Sequence, residues 1–416
     1  MATQLERAVR NEITPEMQAV AQDEQFAPEQ IREWVAEGTV VIPKNIHRQS
    51  CDAVGIGETL STKINANIGT SQKHPEIENE IEKLRVALDS GSDAVMDLST
   101  GGDLTSIRNT ILNMSPKPVG TVPIYEMMVR SKTFDINLYL DIIRQQAEQG
   151  VDFFTIHAGI RKSHIPLIEK RLMGVVSRGG AYLVQYMRRS GNDNPLYERY
   201  DDILAICREH DVTISLGDGL RPGCINDATD EAQIEELKVL GQLAQRSRDA
   251  GVQVMIEGPG HVPLHQIQQN MELKKQYAGT TPFYVLGPLV TDLAVGYDHI
   301  SGAIGGTLAA YYGASFLCYL TPREHLGLPD LDDVREGVIA SRIAAHAADL
   351  ARGKPGTLER NNALSRARLA FDWERQFELA LDPEKARERR ESATDKEGDV
   401  CSMCGEFCSM KVSHES

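Results

Sequence analysis

The chain has 416 residues, 41% of them hydrophobic, with a formal net charge of -16. That is enough apolar material for a full core, and a single barrel of about 250 residues fits inside the length. The acidity argues against a nucleic-acid partner, since phosphate binding needs a basic footprint. It fits a solubility feature of a cytoplasmic protein.

The opening, MATQLERAVRNEITPEMQ, is too polar for a signal peptide. No apolar run reaches the roughly 18 residues that would suggest a membrane span. Seven cysteines, four of them scattered (Cys51, Cys207, Cys224 and Cys318), speak for a reducing compartment and against a disulfide framework. Residues 1–60 read as a small α+β region, in which EQFAPEQIREWVAEGTVVIP gives a helix and then a strand.

From there the pattern alternates. Strand candidates are TKINANIG, DAVMDLSTG, PVGTVPIY, DFFTIHAG, MGVVSRGG, VTISLGDG, VQVMIEGPGH, FYVLGPLVTD and SFLCYLTPREH. Amphipathic segments lie between them; in DEAQIEELKVLGQLAQRSRDAG, Ile234, Leu237, Leu240, Leu243 and Ala244 recur at helical spacing. Buried runs alternating with helices signal a parallel sheet, and their repetition points to an α/β (β/α)8 barrel over residues 61–335. Nine candidates are one too many, so one of them lies outside the barrel. Helical patterns follow over 336–382. Residues 383–416 read as a charged tether ending in a cysteine cluster, DVCSMCGEFCSMK.

The strand ends carry chemistry. Asn67, Tyr125, His157, Ser177, Arg178, Asp218, Arg221, Glu257 and His261 all fall at or just after strand candidates. In a barrel, those ends share the face that carries the active site. SRGGA and GDGLRPG pair Arg178 and Arg221 with glycines, and each either cradles an anion or forms an ordinary turn. His261 and His325 follow neighbouring strand-like runs. They are a candidate pair for a divalent metal, though histidines so placed are more often hydrogen-bonded core or substrate-contact residues, and His265 and His299 are equally visible from spacing. Cys401, Cys404 and Cys408 form a C-x2-C-x3-C run. It suits zinc with His414 as fourth ligand, or a [4Fe–4S] cluster with one iron left open.

KINANIG, VMDLSTGG, GTVPIY, FTIHAG, SRGG, SLGDGLRPG, QVMIEGPGHVP, FYVLGPLVTD, GYDHI, EHLGLP, IAAHAADLA and the CSMCG…CSM tail together resemble the phosphomethylpyrimidine synthase family of radical S-adenosylmethionine enzymes. The likeness covers nearly the whole chain. It implies that Cys401, Cys404 and Cys408 hold a [4Fe–4S] cluster whose open iron binds S-adenosyl-L-methionine. Reduction by an external one-electron donor would release a 5′-deoxyadenosyl radical, which rearranges 5-aminoimidazole ribonucleotide with loss of formate. The resemblance implies substrate contacts at Asn67, Met96, Tyr125, His157, Ser177, Arg178, Gly179, Asp218, Gly219, Leu220, Arg221, Glu257 and Tyr284. It assigns Glu257 a catalytic place beside the three cysteines, and His261 and His325 a divalent metal, usually zinc. It further implies a homodimer in which one subunit's tail can cap the other's barrel.

The sequence departs from the family pattern at Ala181, Cys224, Val295, Ser301 and Gly302, beside the substrate motifs. Lost or displaced hydroxyls change what a pocket can hold more than a volume change does. These departures favour a 5-hydroxybenzimidazole synthase, a paralogue that makes the precursor of a cobalamin lower ligand. The alternative is the pyrimidine product of thiamine biosynthesis. Readings of another class are a zinc-stabilised, nucleotide-binding barrel without radical chemistry, and a hydrolase using metal-activated water at His261 and His325.

Overall fold

In the computed structural model, which describes residues 2–393, 400, 401 and 403–414, ten strands are present. Val40–Val41 (β1) and Ile56–Gly57 (β2) form a separate antiparallel ribbon. The other eight close a parallel barrel: Lys63–Ile68 (β3), Ala94–Asp97 (β4), Val119–Thr121 (β5), Phe153–Ile156 (β6), Thr213–Leu216 (β7), Val254–Gly258 (β8), Phe283–Leu286 (β9) and Phe316–Cys318 (β10), with β10 pairing back onto β3. The expected (β/α)8 barrel is therefore the fold.

The surplus candidate was MGVVSRGG. Residues 173–177 form no strand, and a helix, Arg178–Ser190, begins inside the motif. Ser177 and Arg178 thus do not end a strand. Ser177 is the helix N-cap, its Oγ accepting the Gly180 N–H at 3.1 Å.

The barrel interior below the mouth is filled by aromatic rings. Phe153 on β6 meets Phe316 on β10 across the lumen, with centroids 6.4 Å apart, and Tyr284 on β9 packs on Phe316 at 4.4 Å. The lumen below the mouth is thus packed with side chains. Buried side chains from the strands and from helices such as Ile136–Gln149 and Glu231–Asp249 make one continuous core around it. Register lines up the polar residues near the mouth: Asn67 sits opposite Met96, Glu257 opposite Tyr284, and Cys318 opposite both Asn65 and Leu286.

The chain divides into two compact units, 1–349 and 350–416. In the second, the pattern read from NALSRARLAFDWERQFELAL is two helices, Thr357–Leu369 and Trp373–Leu379. Phe371 takes a positive φ of 55° between them, and Asp372 caps the second helix by accepting the Arg375 N–H. Helix Pro383–Glu391 buries none of its residues, but Arg390 lies 4.3 Å above the Trp373 ring. The charged stretch 394–399 lies outside the described residues.

Candidate active site

At the C-terminal mouth of the barrel a cavity of about 110 Å³ is lined by Asn67, Met96, Tyr125, His157, Asp218, Arg221, Glu257 and Tyr284. Eight of the thirteen positions expected to touch substrate therefore meet in one place. Of the rest, Arg178 lines an adjoining cavity of about 280 Å³, which shares Asn67 and Leu98 with the first. Ser177, Gly179, Gly219 and Leu220 line neither cavity.

Those four support the walls instead. A Cβ on Gly179 would lie 2.8 Å from the His157 ring, and one on Gly180 would lie 2.4 Å from the Gly219 carbonyl oxygen. The glycines of SRGG thus let the Arg178–Ser190 helix press against His157 and against the turn carrying Asp218 and Arg221. Leu220 is fully buried under that turn with Ile160, Ile168 and Val184.

Glu257 is fixed by hydroxyls. Thr155 Oγ1 donates to its Oε1 at 2.7 Å and Ser215 Oγ donates at 3.0 Å. Burial raises the Glu257 pKa, and these hydroxyls and Arg221 counter the rise. Burial pushes the Asp218 carboxyl up to about 8, with Arg221 pulling it back and Glu257 adding to the rise. Burial works against the Arg221 charge, but Asp218, Tyr125 and Glu257 hold its pKa above the ordinary value. Arg221 Nη1 donates to Asp218 Oδ1 at 3.1 Å. Burial, with Arg221 nearby, lowers His157 to about 3, so its ring is neutral. His157 Nδ1 and Asp218 Oδ2 are buried and find no partner among the described residues. Such groups ask for a polar ligand.

The opposite wall is a chain of weaker contacts. Asn65 Nδ2 donates to Asn67 Oδ1 and to Tyr284 OH at 2.8 and 2.7 Å. Asn67 Nδ2 reaches Cys318 Sγ at 3.1 Å, and the Tyr319 hydroxyl holds the Asn67 carbonyl at 2.8 Å. Burial pushes the Cys318 thiol up to about 12, so it stays protonated. Sequence reasoning passed over Thr155 and Cys318 as lining residues and Ser215 as a support. Thr155 and Ser215 look like ordinary strand residues, and Cys318 had been read as one of the scattered thiols. The usable signal was position: Thr155 and Cys318 face the same lumen as their ladder partners.

The imidazoles of His261 and His325 stand 5.5 Å apart, centroid to centroid. His261 Nδ1 donates to Asp292 at 2.9 Å and His325 Nδ1 donates to Asp298 at 3.2 Å. Carboxylates on Nδ1 fix the tautomer that leaves each Nε2 lone pair free, the arrangement common around metal-binding histidines. Among the described residues no group of three or more His, Cys, Asp or Glu completes a metal cage, so the pair would leave positions open to water or ligand.

In the tail, Cys401, Cys404 and Cys408 are carried by a turn, the short helix Gly405–Phe407 and the start of helix Ser409–His414. The backbone N–H groups of Cys404 and Met403 bond the Cys401 sulfur and lower its pKa. Desolvation and the charges of Cys401 and Cys408 push Cys404 up. The three thiols supply the ligand type and number that a cluster with one open iron needs, but as placed here they are not gathered into a metal-holding group among the described residues. The side chain of His414, the fourth ligand of the zinc alternative, lies outside what is described.

None of the departures from the family pattern lines the cavity. Ala181 is exposed on its helix and Val295 is exposed in a loop. Cys224 precedes the short helix Ile225–Asp227. Ser301 Oγ accepts the Val290 N–H at 3.0 Å, and a Cβ on Gly302 would lie 2.5 Å from Leu320. So placed, these five residues do not shape the lining of the substrate pocket.

Together these features describe a TIM-barrel protein whose polar pocket lies at the strand C-termini and whose chain carries a three-thiol tail. The model of the Radical SAM ThiC family matches residues 3–415, and the chain belongs to that family. Membership makes it a radical S-adenosylmethionine enzyme and implies a [4Fe–4S] cluster and S-adenosylmethionine. Similar relatives include proteins named phosphomethylpyrimidine synthase from Moorella thermoacetica (54% identical, over 99% of this chain and 97% of the relative), Desulforudis audaxviator (53%, 98% and 97%) and Methanococcus aeolicus (52%, 100% and 99%). Among solved structures, a dihydropteroate synthase from Xanthomonas albilineans is similar at 11% identity and a TM-score of 0.44, covering 76% of this chain and 100% of that one. No helix among the described residues is long and apolar enough to cross a membrane.

Proposed function

We propose that the chain is a phosphomethylpyrimidine synthase, converting 5-aminoimidazole ribonucleotide to 4-amino-5-hydroxymethyl-2-methylpyrimidine phosphate in thiamine biosynthesis, with release of formate. The observation that carries this reading is the pocket itself: eight family motif positions line it, and every departure from the family pattern lies outside it. The full-length similarity to relatives of that name supports the same product. No feature of the pocket favours the 5-hydroxybenzimidazole product.

When bound, the cluster and S-adenosylmethionine supply the radical that begins the rearrangement. The chain's own residues bind and orient the substrate. The Arg221 guanidinium, buried and charged, gives the pocket a fixed cation for an anionic or electron-rich group. Asp218, protonated near neutral pH, donates a hydrogen bond from its carboxyl. Glu257, held by Thr155, Ser215 and the Asp218 backbone N–H, presents its carboxyl to a substrate N–H or O–H. Neutral His157 accepts or donates without adding charge, and Tyr284 closes the floor. The aromatic lumen beneath excludes water from that side.

The proposal extends to one divalent metal, zinc in the simplest case, on the Nε2 atoms of His261 and His325. It extends also to Cys401, Cys404 and Cys408 as cluster ligands, to an external reductant and to a homodimer. The test is anaerobic incubation of the reconstituted protein with 5-aminoimidazole ribonucleotide, S-adenosylmethionine and a strong reductant. A phosphorylated pyrimidine is expected. A fluorescent, phosphate-free benzimidazole would overturn the product assignment.

A further inference from the structure

The turn that carries Asp218 and Arg221 is gripped from behind by two buried ionisable residues that line neither cavity. Glu236, on helix Glu231–Asp249, is 2% exposed, and its Oε2 accepts the Leu220 N–H at 2.6 Å. Arg171, whose side chain is 1% exposed, donates from Nη2 to the Leu220 carbonyl at 2.6 Å. Its Nη1 reaches the Arg221 carbonyl at 3.4 Å and that of Gly174 at 3.3 Å.

Both ends of the grip are anchored to the same helix. Arg171 makes a two-pronged pair with Asp230, at 2.6 and 2.7 Å, and Asp230 is the N-cap of the helix that bears Glu236. The Leu220 residue is therefore held at its N–H by a carboxyl and at its carbonyl by a guanidinium. The turn adds its own bond, Arg221 N–H to the Asp218 carbonyl at 3.0 Å.

A buried carboxyl and guanidinium are costly to desolvate, and here that cost is offset by hydrogen bonds that converge on the one peptide residue Leu220. Their geometry fixes the position of that residue. We propose that Arg171 and Glu236 are positioning residues that clamp Leu220 and thereby set where Asp218 and Arg221 point into the pocket. This rests on the reading of Asp218 and Arg221 as substrate contacts.

The clamp makes two separable predictions. Glu236→Met keeps the volume and removes the acceptor. In this variant the Leu220 amide exchanges faster with solvent, and the affinity for 5-aminoimidazole ribonucleotide, measured by calorimetry on the full chain, falls about tenfold. Glu236→Gln keeps one acceptor and restores most of both. Arg171→Lys keeps a cation for Asp230 but loses the fork, and it weakens binding similarly without unfolding the protein. Leu220 exchange at the wild-type rate in a folded Glu236→Met protein would overturn the clamp. Faster exchange with unchanged affinity, in both Glu236→Met and Arg221→Ala, would instead overturn the reading of the turn as a substrate contact, and with it the functional half of the proposal.

Discussion

Glu257 shows how much of this site depends on single side chains. Two hydroxyls hold one carboxylate oxygen, and the Asp218 backbone N–H adds a further bond to the same carboxyl group. Glu257→Gln keeps the shape but turns an acceptor into an amide, so kcat/KM should fall by about ten- to a hundredfold with the melting temperature nearly unchanged. Steady-state kinetics beside a thermal melt checks this. A second residue, far from the pocket, ties stability to pH. Burial pushes the Asp211 carboxyl from its ordinary 3.8 up to about 7, with Glu16 and Glu6 adding to the rise, while the carboxylate accepts the Gln4 N–H at 2.8 Å. The native chain keeps a proton that the unfolded chain has lost, so this contribution is full below about 3.8 and fades as pH rises towards about 7. Asp211 also sits at a left-handed helix end, φ 53°, which asparagine adopts readily. Asp211→Asn should therefore match the wild type at pH 4 and melt higher at pH 8; equal melting temperatures at pH 8 would contradict it. At this scale Asn67, Tyr125, His157, Asp218, Arg221 and Glu257 were legible, because polar residues at strand ends stand out. Thr155, Ser215 and Cys318 were not, because β-branched, small and apolar residues inside a strand look like scaffold.

Between elements, the decisive contact is the one between the Arg178–Ser190 helix and the Asp218 turn. A Cβ at position 180 would lie 2.4 Å from a backbone oxygen that cannot move without moving Asp218. Gly180→Ala should cost about 1–3 kcal/mol of stability and weaken substrate binding with it, measurable by urea denaturation and calorimetry on the same preparation. The eight barrel strands could be read from sequence because short buried runs alternate with helical periodicity. MGVVSRGG misled for the same reason in reverse: a short apolar run ahead of glycines has no period of its own, and a helix starting at Arg178 leaves only five residues of it unassigned. The break at Phe371 was equally hidden, since apolar spacing continues through it and only the Asp372 cap marks it.

Over the whole molecule, the pocket and the histidine pair belong to the first compact unit, and the three cysteines to the second. The two metal proposals can therefore be tested apart. His261→Ala should lower the bound divalent metal to below one equivalent, as measured by elemental analysis, while leaving the visible iron–sulfur absorbance of the reconstituted protein in place. Cys404→Ala should do the reverse. Membership of the family was legible from motifs spread over the whole chain, whereas the product was read from five positions that do not line the pocket and so carry no information about it. The central claim, that thiolate tail and barrel pocket together make the pyrimidine, is tested most directly by mass analysis of an anaerobic turnover mixture, wild type beside Cys404→Ala. The account predicts the pyrimidine phosphate and formate in equal amounts from the wild type and neither from the variant. A variant that still turns over, or a wild type that consumes the substrate without yielding that pyrimidine, would contradict it.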